Sequence, residues 1–246
     1  MSQADFRFYA QLNDFLSPSR RQQTFTHTFE KSPSIKDMIE SLGVPHTEVH
    51  LILVHSQPVD FEYHVQDGDS ASVYPAFTHF DIAPLVATPT DPRFVLDVHL
   101  GRLASHLRML GFDTLYRNDY DDPELARISR DEDRILLTRD LGLLKRSMVR
   151  HGYYVRNTNP ARQLAEVLRQ FHLTEINSPF KRCMQCNGLL EDVAKESIAD
   201  RLPDRTRQYY NEFRICRTCD KIYWKGSHYQ HMQQMIERIQ AGSDNL

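Results

Sequence analysis

Between Phe94 and Asp140 three short apolar runs, Phe94 to Leu96, Thr114 to Tyr116 and Ile135 to Leu137, alternate with polar and apolar stretches of helical period. A chain patterned in this way has few folds open to it: it is the signature of parallel strands joined by crossover helices. Each run leads into acid, first Asp97, then the group from Asp119 to Asp122, then Asp140. In an open α/β sheet, chemistry gathers beyond the carboxyl ends of the strands, so these acids are expected to converge on one rim. Like charges brought together need a counter-ion. Mg²⁺ or Mn²⁺, which prefer carboxylate and water oxygens, is the simplest.

The connecting pieces fit this plan. Leu100, Leu103, Leu107 and Leu110 recur at spacings of 3, 4 and 3 and predict a helix with one leucine stripe, ended by Gly111. Arg102 and Arg108 lie off that stripe, and Arg102, in the first turn, is near enough to the strand end to reach a phosphate. A strand is expected over Asp113 to Arg117, then a turn over Asn118 to Asp122, with Pro123 where a first helical residue belongs. One of Asp119, Asp121 and Asp122 is expected only to cap that helix. After Thr138-Arg139-Asp140 the pattern predicts a helix over 142–151, a strand over 153–156 and a helix over 160–171. His99, two residues past Asp97, shares its face if the strand continues; a local hydrogen-bonding role is the plainer expectation.

At 246 residues, with 40% hydrophobic and 26% charged side chains, the chain is long enough for two or three domains. No apolar run reaches the roughly 20 residues that span a bilayer. The N-terminus is interrupted by Asp5, Asn13 and Asp14 and lacks a signal pattern, so a cytoplasmic location is the default and no membrane partner is expected. Residues 1–90 carry 5 Lys or Arg against 11 Asp or Glu, residues 91–180 carry 14 against 13, and residues 181–246 carry 11 against 9. The acidic first third is a poor nucleic-acid binder by itself. The arginines of the middle third suit a phosphate-rich substrate, although each one serves equally well to solvate a helix face.

Residues 6–80 read as β runs near Phe6 and over 24–29, a helix from Ser34 to Leu42 closed by Gly43, and β runs over 50–54 and 72–74. The order ββαββ resembles the ubiquitin-like β-grasp of small sulfur carriers. Such carriers need a free C-terminal Gly-Gly; here Tyr74-Pro75-Ala76-Phe77 runs on into the chain, which excludes thiocarboxylate chemistry. Docking to a protein partner, or plain structural support, is what remains. Pro84, Pro89 and Pro92 mark 81–92 as a linker.

All four cysteines fall near the end, as Cys183-Met184-Gln185-Cys186 and Cys216-Arg217-Thr218-Cys219. Two C-x-x-C pairs point to tetrahedral Zn²⁺ held by four thiolates, a closed and therefore structural site. The 29 residues between the pairs imply an insertion with a helical segment. Beyond the second pair, basic and aromatic residues interleave from Lys221 to Tyr229, as on single-strand-binding surfaces. Ile222 and Trp224 are expected to fill a small core, leaving Lys221, Lys225 and His228 as RNA-contact candidates.

D-V-H-L-G-R-L-A-x-x-L-R-M-L-G-F-D-T, then N-D-Y-D-D-P-E-L-A, then R-I-L-L-T-R-D, then the cysteine tail, together resemble the Mut7-C family of predicted ribonucleases, part of the PIN-like nuclease group. The resemblance covers residues 94 to about 230, and members with an added N-terminal ubiquitin-like domain share this order of parts. It implies an α/β fold made of a ubiquitin-like β-grasp domain (1–80), a linker (81–92), a PIN-like parallel-sheet nuclease domain (93–178), a four-cysteine zinc ribbon (179–232) and a tail (233–246). It also implies a metal-dependent endoribonuclease acting on RNA. Asp97 and Asp140 would ligate Mg²⁺ or Mn²⁺, Asp122 or its competitor Asp119 would hold a second metal or a bound water, and Arg102 and Arg139 would neutralise charge on the phosphate. The further glutamate usual in the group has no match in residues 98–112. PIN-like proteins often form homodimers, but no apolar helix face here demands one. Two other functions fit the same residues: a non-catalytic RNA- or ribosome-associated adaptor binding through the ribbon, and, more weakly, a sulfur-transfer partner recognised through the β-grasp.

Overall fold

Alternation at the N-terminus builds the strand β1 (Ser2–Phe8), which buries Ala4, Phe6 and Phe8 and turns Gln3 and Arg7 outward. The computed structural model describes residues 1–76, 92–173 and 178–240, without the side chains of His228, Ile239 and Gln240. Its contacts divide the chain into two units, Met1–Pro89 with Asp140–Tyr154, and Thr90–Arg139 with Val155–Leu246.

In the first unit β1 pairs antiparallel with β2 (Phe25–Phe29). The helix α1 (Ile35–Ser41) starts where the Ser34 hydroxyl accepts the Asp37 amide, and it buries Ile35, Met38 and Ile39. It stops before Gly43, at φ 111°, where a Cβ would stand 2.9 Å from the Phe15 carbonyl oxygen. Two strands, β3 (Leu51–Val54) and β4 (Gln57–Val59), form a hairpin, and β5 (Ser70–Tyr74) lies between β3 and β1, parallel to β1. The sheet order is β2-β1-β5-β3-β4. Strand β4 is absent from the sequence pattern because Gln57-Pro58-Val59 does not alternate. It exists because His55 and Ser56 both take left-handed φ, 47° and 65°, and close a two-residue hairpin turn. The proline-bearing stretch expected to be a linker, 81–92, lies outside the described residues except for Pro92.

In the second unit β6 (Phe94–Leu96) is wholly buried and runs parallel to β7 (Thr114–Leu115) on one side and β8 (Ile135–Thr138) on the other. The leucine stripe of α2 (Gly101–Leu110) is buried as predicted. Arg108, which lies off that stripe, is buried too, at 2% exposure. Gly111 ends α2 at φ 101°, and a Cβ there would lie 2.3 Å from the Ser178 carbonyl oxygen. The strand expected over Asp113 to Arg117 shrinks to two residues. Side chains claim its flanks: Arg134 and Asn187 hold the Asp113 carboxylate, and Arg108 reaches the Tyr116 carbonyl. The helix α3 (Asp122–Asp131) is capped by Asp121, whose carboxylate takes the Glu124 amide at 2.8 Å.

Segment 140–154, of the first unit, departs furthest from expectation. Its helix α4 (Leu141–Leu144) is a single turn, not the 142–151 helix predicted. Past Leu144 the amides of Arg146 and Val149 bond carbonyls three residues back, those of Leu143 and Arg146, so the i to i−4 ladder does not continue, and the Val149 carbonyl is held at 2.9 Å by His46 Nε2. The Tyr154 amide, at the end of β9 (Gly152–Tyr154), donates to Glu48 Oε1 at 2.6 Å.

The helix α5 (Pro160–Gln170), capped by Asn159, returns to the second unit and buries Leu164, Val167 and Leu168. A small antiparallel sheet follows, with β10 (Leu190–Val193), β11 (Phe213–Cys216) and β12 (Ile222–Trp224) in that order. Between β10 and β11 the 3-10 segment Lys195–Arg201 and α6 (Asp204–Tyr209) form the expected helical insertion. Ile198, Leu202 and Phe213 make the core there, with Ile222 and Trp224 packed against it. Residues 233–240, expected to be tail, continue the helix α7 (Ser227–Gln240), whose amphipathic sequence sustains it. Among the described residues, no helix is long and apolar enough to cross a membrane.

Candidate functional site

Strands β6 and β8 end in register, Leu96 beside Leu137, so the next residues, Asp97 and Thr138, meet at the carboxyl edge of the sheet. Asp97 is 5% exposed. Its Oδ1 accepts the Val98 amide at 2.6 Å and its Oδ2 accepts the Thr138 hydroxyl, also at 2.6 Å. Both of these donors are neutral. A buried carboxylate normally has a cationic partner, and a carboxylate has about four acceptor positions, of which two are filled here. The group therefore has lone pairs left for a cation.

The other acids singled out in the sequence sit at helix starts or in an exposed turn. Asp140 is exposed at the start of α4, where its Oδ1 accepts the amides of Gly142 at 2.6 Å and Leu143 at 3.4 Å. Asp122 opens α3 in its first turn. Asp119 is exposed and ion-paired with Arg117, which bonds it at 2.9 and 2.5 Å and holds its carboxyl below the usual range. Among the described residues, the four cysteines are the one group of three or more His, Cys, Asp or Glu ligand atoms close enough to share a metal.

Of the arginines, Arg102 is exposed in the first turn of α2, and burial followed by the charge of Arg102 lowers the pKa of His106 on the next turn. Arg139 Nη1 donates to the carbonyls of Val155, Arg156 and Asn157 at 2.9, 2.7 and 2.7 Å, so this nitrogen is fixed to the backbone. His99 is exposed.

The knuckles bring the four thiols within 4.8 Å of one another, with Sγ to Sγ distances of 3.5 Å for Cys183 and Cys219 and 3.4 Å for Cys186 and Cys216. Four sulfurs at about 2.3 Å from a tetrahedral Zn²⁺ stand about 3.8 Å apart, so the cluster fits that ion. Burial pushes the Cys186 thiol up to about 12. At Cys183 burial acts the same way, but hydrogen bonds from the Tyr223 hydroxyl and the amides of Cys186 and Gln185 outweigh it and bring the thiol down to about 7. Lys221 stands 5.8 Å from the centre of the Tyr223 ring, and exposed Lys225 pairs with Glu212 at 2.5 Å. The side chain of His228 lies outside the described residues.

Sequence reasoning missed what joins the first knuckle to the parallel sheet. Arg108 donates to the knuckle carbonyls of Met184 and Gln185 at 3.2 and 2.8 Å and to Thr114 at 2.8 Å. Asn187, in the left-handed region at φ 72°, accepts the Thr114 amide and donates to Asp113 at 2.8 Å. Asp113 also binds Arg134 at 2.7 Å and Arg182 at 3.3 Å. Thr138 was missed as well, although the T-R-D motif contains it.

These features define a mixed α/β protein: a β-rich N-terminal unit, a parallel sheet with a buried acid at its carboxyl edge, and a four-cysteine cluster of zinc-ribbon type. The chain belongs to the Mut7-C family, since the Mut7-C RNAse domain model matches residues 92–236 and the Mut7-C ubiquitin model matches residues 1–81. No curated protein and no solved structure matched it.

Proposed function

We propose that this chain is a metal-dependent endoribonuclease whose active site is anchored on Asp97. The observation that carries the reading is the position of this acid: inside the segment matching the RNAse domain, buried at the end of a parallel strand, and bonded to two neutral donors. A Mg²⁺ or Mn²⁺ ion supplies the acidification of the attacking water and neutralises charge on the phosphodiester. In this reading Asp97 and Asp140 hold the ion, Asp122 is the next candidate, and Asp119 is the weakest because Arg117 already occupies it. Thr138 fixes the rotamer of Asp97, and Arg102, exposed at the start of α2, meets the substrate phosphate. Arg139 acts by holding the backbone of 155–157 in place.

The four thiols hold one structural Zn²⁺, which suits a reducing compartment and the cytoplasm. Lys221, Lys225 and His228 extend the RNA contact over the ribbon, and the ubiquitin-like domain docks a protein partner. A non-catalytic RNA-binding adaptor is the second reading; what favours it is the interleaving of basic and aromatic residues from Lys221 to Tyr229 on the ribbon.

Incubating the purified chain with mixed RNA, with and without Mn²⁺, tests the two. The enzyme cleaves only with the ion, and Asp97→Asn lowers cleavage by at least two orders of magnitude, on the order of the loss of a directly acting group, while zinc content stays at wild-type level. Absence of cleavage by the wild type sinks the nuclease reading.

A further inference from the structure

On one side of the ribbon sheet, against α7, lies a cavity of about 610 Å³, within the size range of small-ligand sites. Phe180 from the segment before the first knuckle, Phe213 on β11, Trp224 on β12 and Tyr229 on α7 all line it. The Phe180 and Tyr229 rings lie 4.4 Å apart, tilted by 36°. Phe180 is held in the left-handed region at φ 59°, and Arg214 bonds its carbonyl at 3.2 Å. Such a conformation is uncommon for a bulky side chain, and the contact with Tyr229 locates the ring.

The polar lining carries both signs of charge. Arg214 and Lys225 each have a carboxylate partner, Asp192 at 2.9 Å and Glu212 at 2.5 Å, and Arg182 adds a third cation. The lining itself therefore holds three cations and two acids, and the partner of Arg182, Asp113 at 3.3 Å, stands outside it. Exposed ion pairs of this sort are weak, so their cations can exchange a carboxylate for a phosphate. The released Asp192 or Glu212 can then accept from an amino group on a base. Aromatic faces that tolerate any base, beside cations that follow a sugar-phosphate backbone, are the recognition chemistry of single-stranded nucleic acid.

We propose that this cavity is a subsite for one unstacked base of single-stranded RNA, stacked on Trp224 and Tyr229, with its phosphate at Arg214 and Lys225. The subsite rests on the ribonuclease reading for the identity of its ligand and lies apart from the Asp97 edge in the sequence and in the elements that form it. It holds substrate, and the acid edge cuts it.

Trp224 is the only tryptophan, so the intrinsic fluorescence of the full zinc-loaded chain reports on this cavity. Titration with a mixed-sequence single-stranded RNA oligonucleotide, without added Mg²⁺ or Mn²⁺, quenches the emission, and the same strand annealed to its complement does not. Tyr229→Ala weakens the single-strand affinity about tenfold, about 1.4 kcal/mol, with zinc content unchanged. Should Tyr229→Ala lose its zinc, Lys225→Gln carries the test: it removes one exposed cation and lowers the slope of log affinity against log salt by about one. Single-stranded RNA that leaves Trp224 unquenched overturns the subsite, as does equal quenching by duplex or quenching by an apolar peptide in place of RNA. Asp97→Asn keeps the quenching, and a chain that quenches but never cleaves keeps the subsite while losing the nuclease.

Discussion

The cysteine cluster and the acid edge are the two regions in which a metal was foreseen, and they are built in opposite ways. Four sulfurs meet within 4.8 Å because each C-x-x-C folds into a knuckle on its own and β11 has only to bring two knuckles together. The acids have no local device of that kind. Asp121 caps a helix, Asp140 accepts two amides at the start of α4, Asp119 is ion-paired with Arg117, and Asp97 alone is buried at a strand end. A ligand set written into one short spacing is readable in the chain; a set gathered from distant strands depends on every partner each acid finds on the way.

Breaking the cysteine side should have the largest effect. Stripping the zinc, or Cys216→Ser, unfolds β10–β12 and α6, because a structural zinc contributes about 10–16 kcal/mol in small zinc modules. Metal analysis and limited proteolysis should show this, with Arg108 and Asn187 carrying the disturbance to Thr114 while the sheet of the first unit stays protected. On the acid side, Thr138→Val keeps the volume but removes the hydroxyl on Asp97 Oδ2. RNA cleavage should fall about 10- to 100-fold, as for loss of a group that orients a ligand, less than for Asp97→Asn. Equal losses would mean that Asp97 acts only through its place in the fold.

Asp113 sharpens the comparison from between the two regions. Burial would raise its carboxyl, but the hydrogen bonds and charges of Arg134, Asn187 and Arg182 more than offset this and set it below the usual range. A carboxyl depressed on folding contributes stability that is fully present above its unfolded value near 4 and is lost as pH falls through the folded value. Acid titration followed by circular dichroism should therefore show Asp113→Asn less stable than wild type at neutral pH and converging with it below about pH 4. The smallest effect belongs to Asp119→Asn. Its carboxylate is exposed and held by Arg117, so neither melting temperature nor cleavage rate should move measurably; a strong loss of cleavage would raise Asp119 above Asp122 as a candidate.

Periodicity made much of this architecture legible. The stripe of α2, the helix start near Ser34, the glycine ends at Gly43 and Gly111 and the helical insertion between the knuckles all follow from local rules that the fold keeps. Where reading stopped short, a long-range partner had intervened. Strand β4 depends on two residues in left-handed turns, the segment after α4 gives its Val149 carbonyl to His46, and Arg108 is buried because carbonyls 76 and 77 residues away solvate it.

Sequence alone determined the order of parts, the four-thiol cluster and the strand whose end carries Asp97, since each rests on spacings of a few residues. Only the tertiary structure decided that Thr138 would hold that carboxylate, that Asp113 and Asn187 would join the knuckle to the sheet, and that a ring-lined cavity would open beside α7. Those outcomes turn on which buried polar group satisfies which other across the fold, and hydrogen-bond partners far apart in the chain leave no period in the sequence.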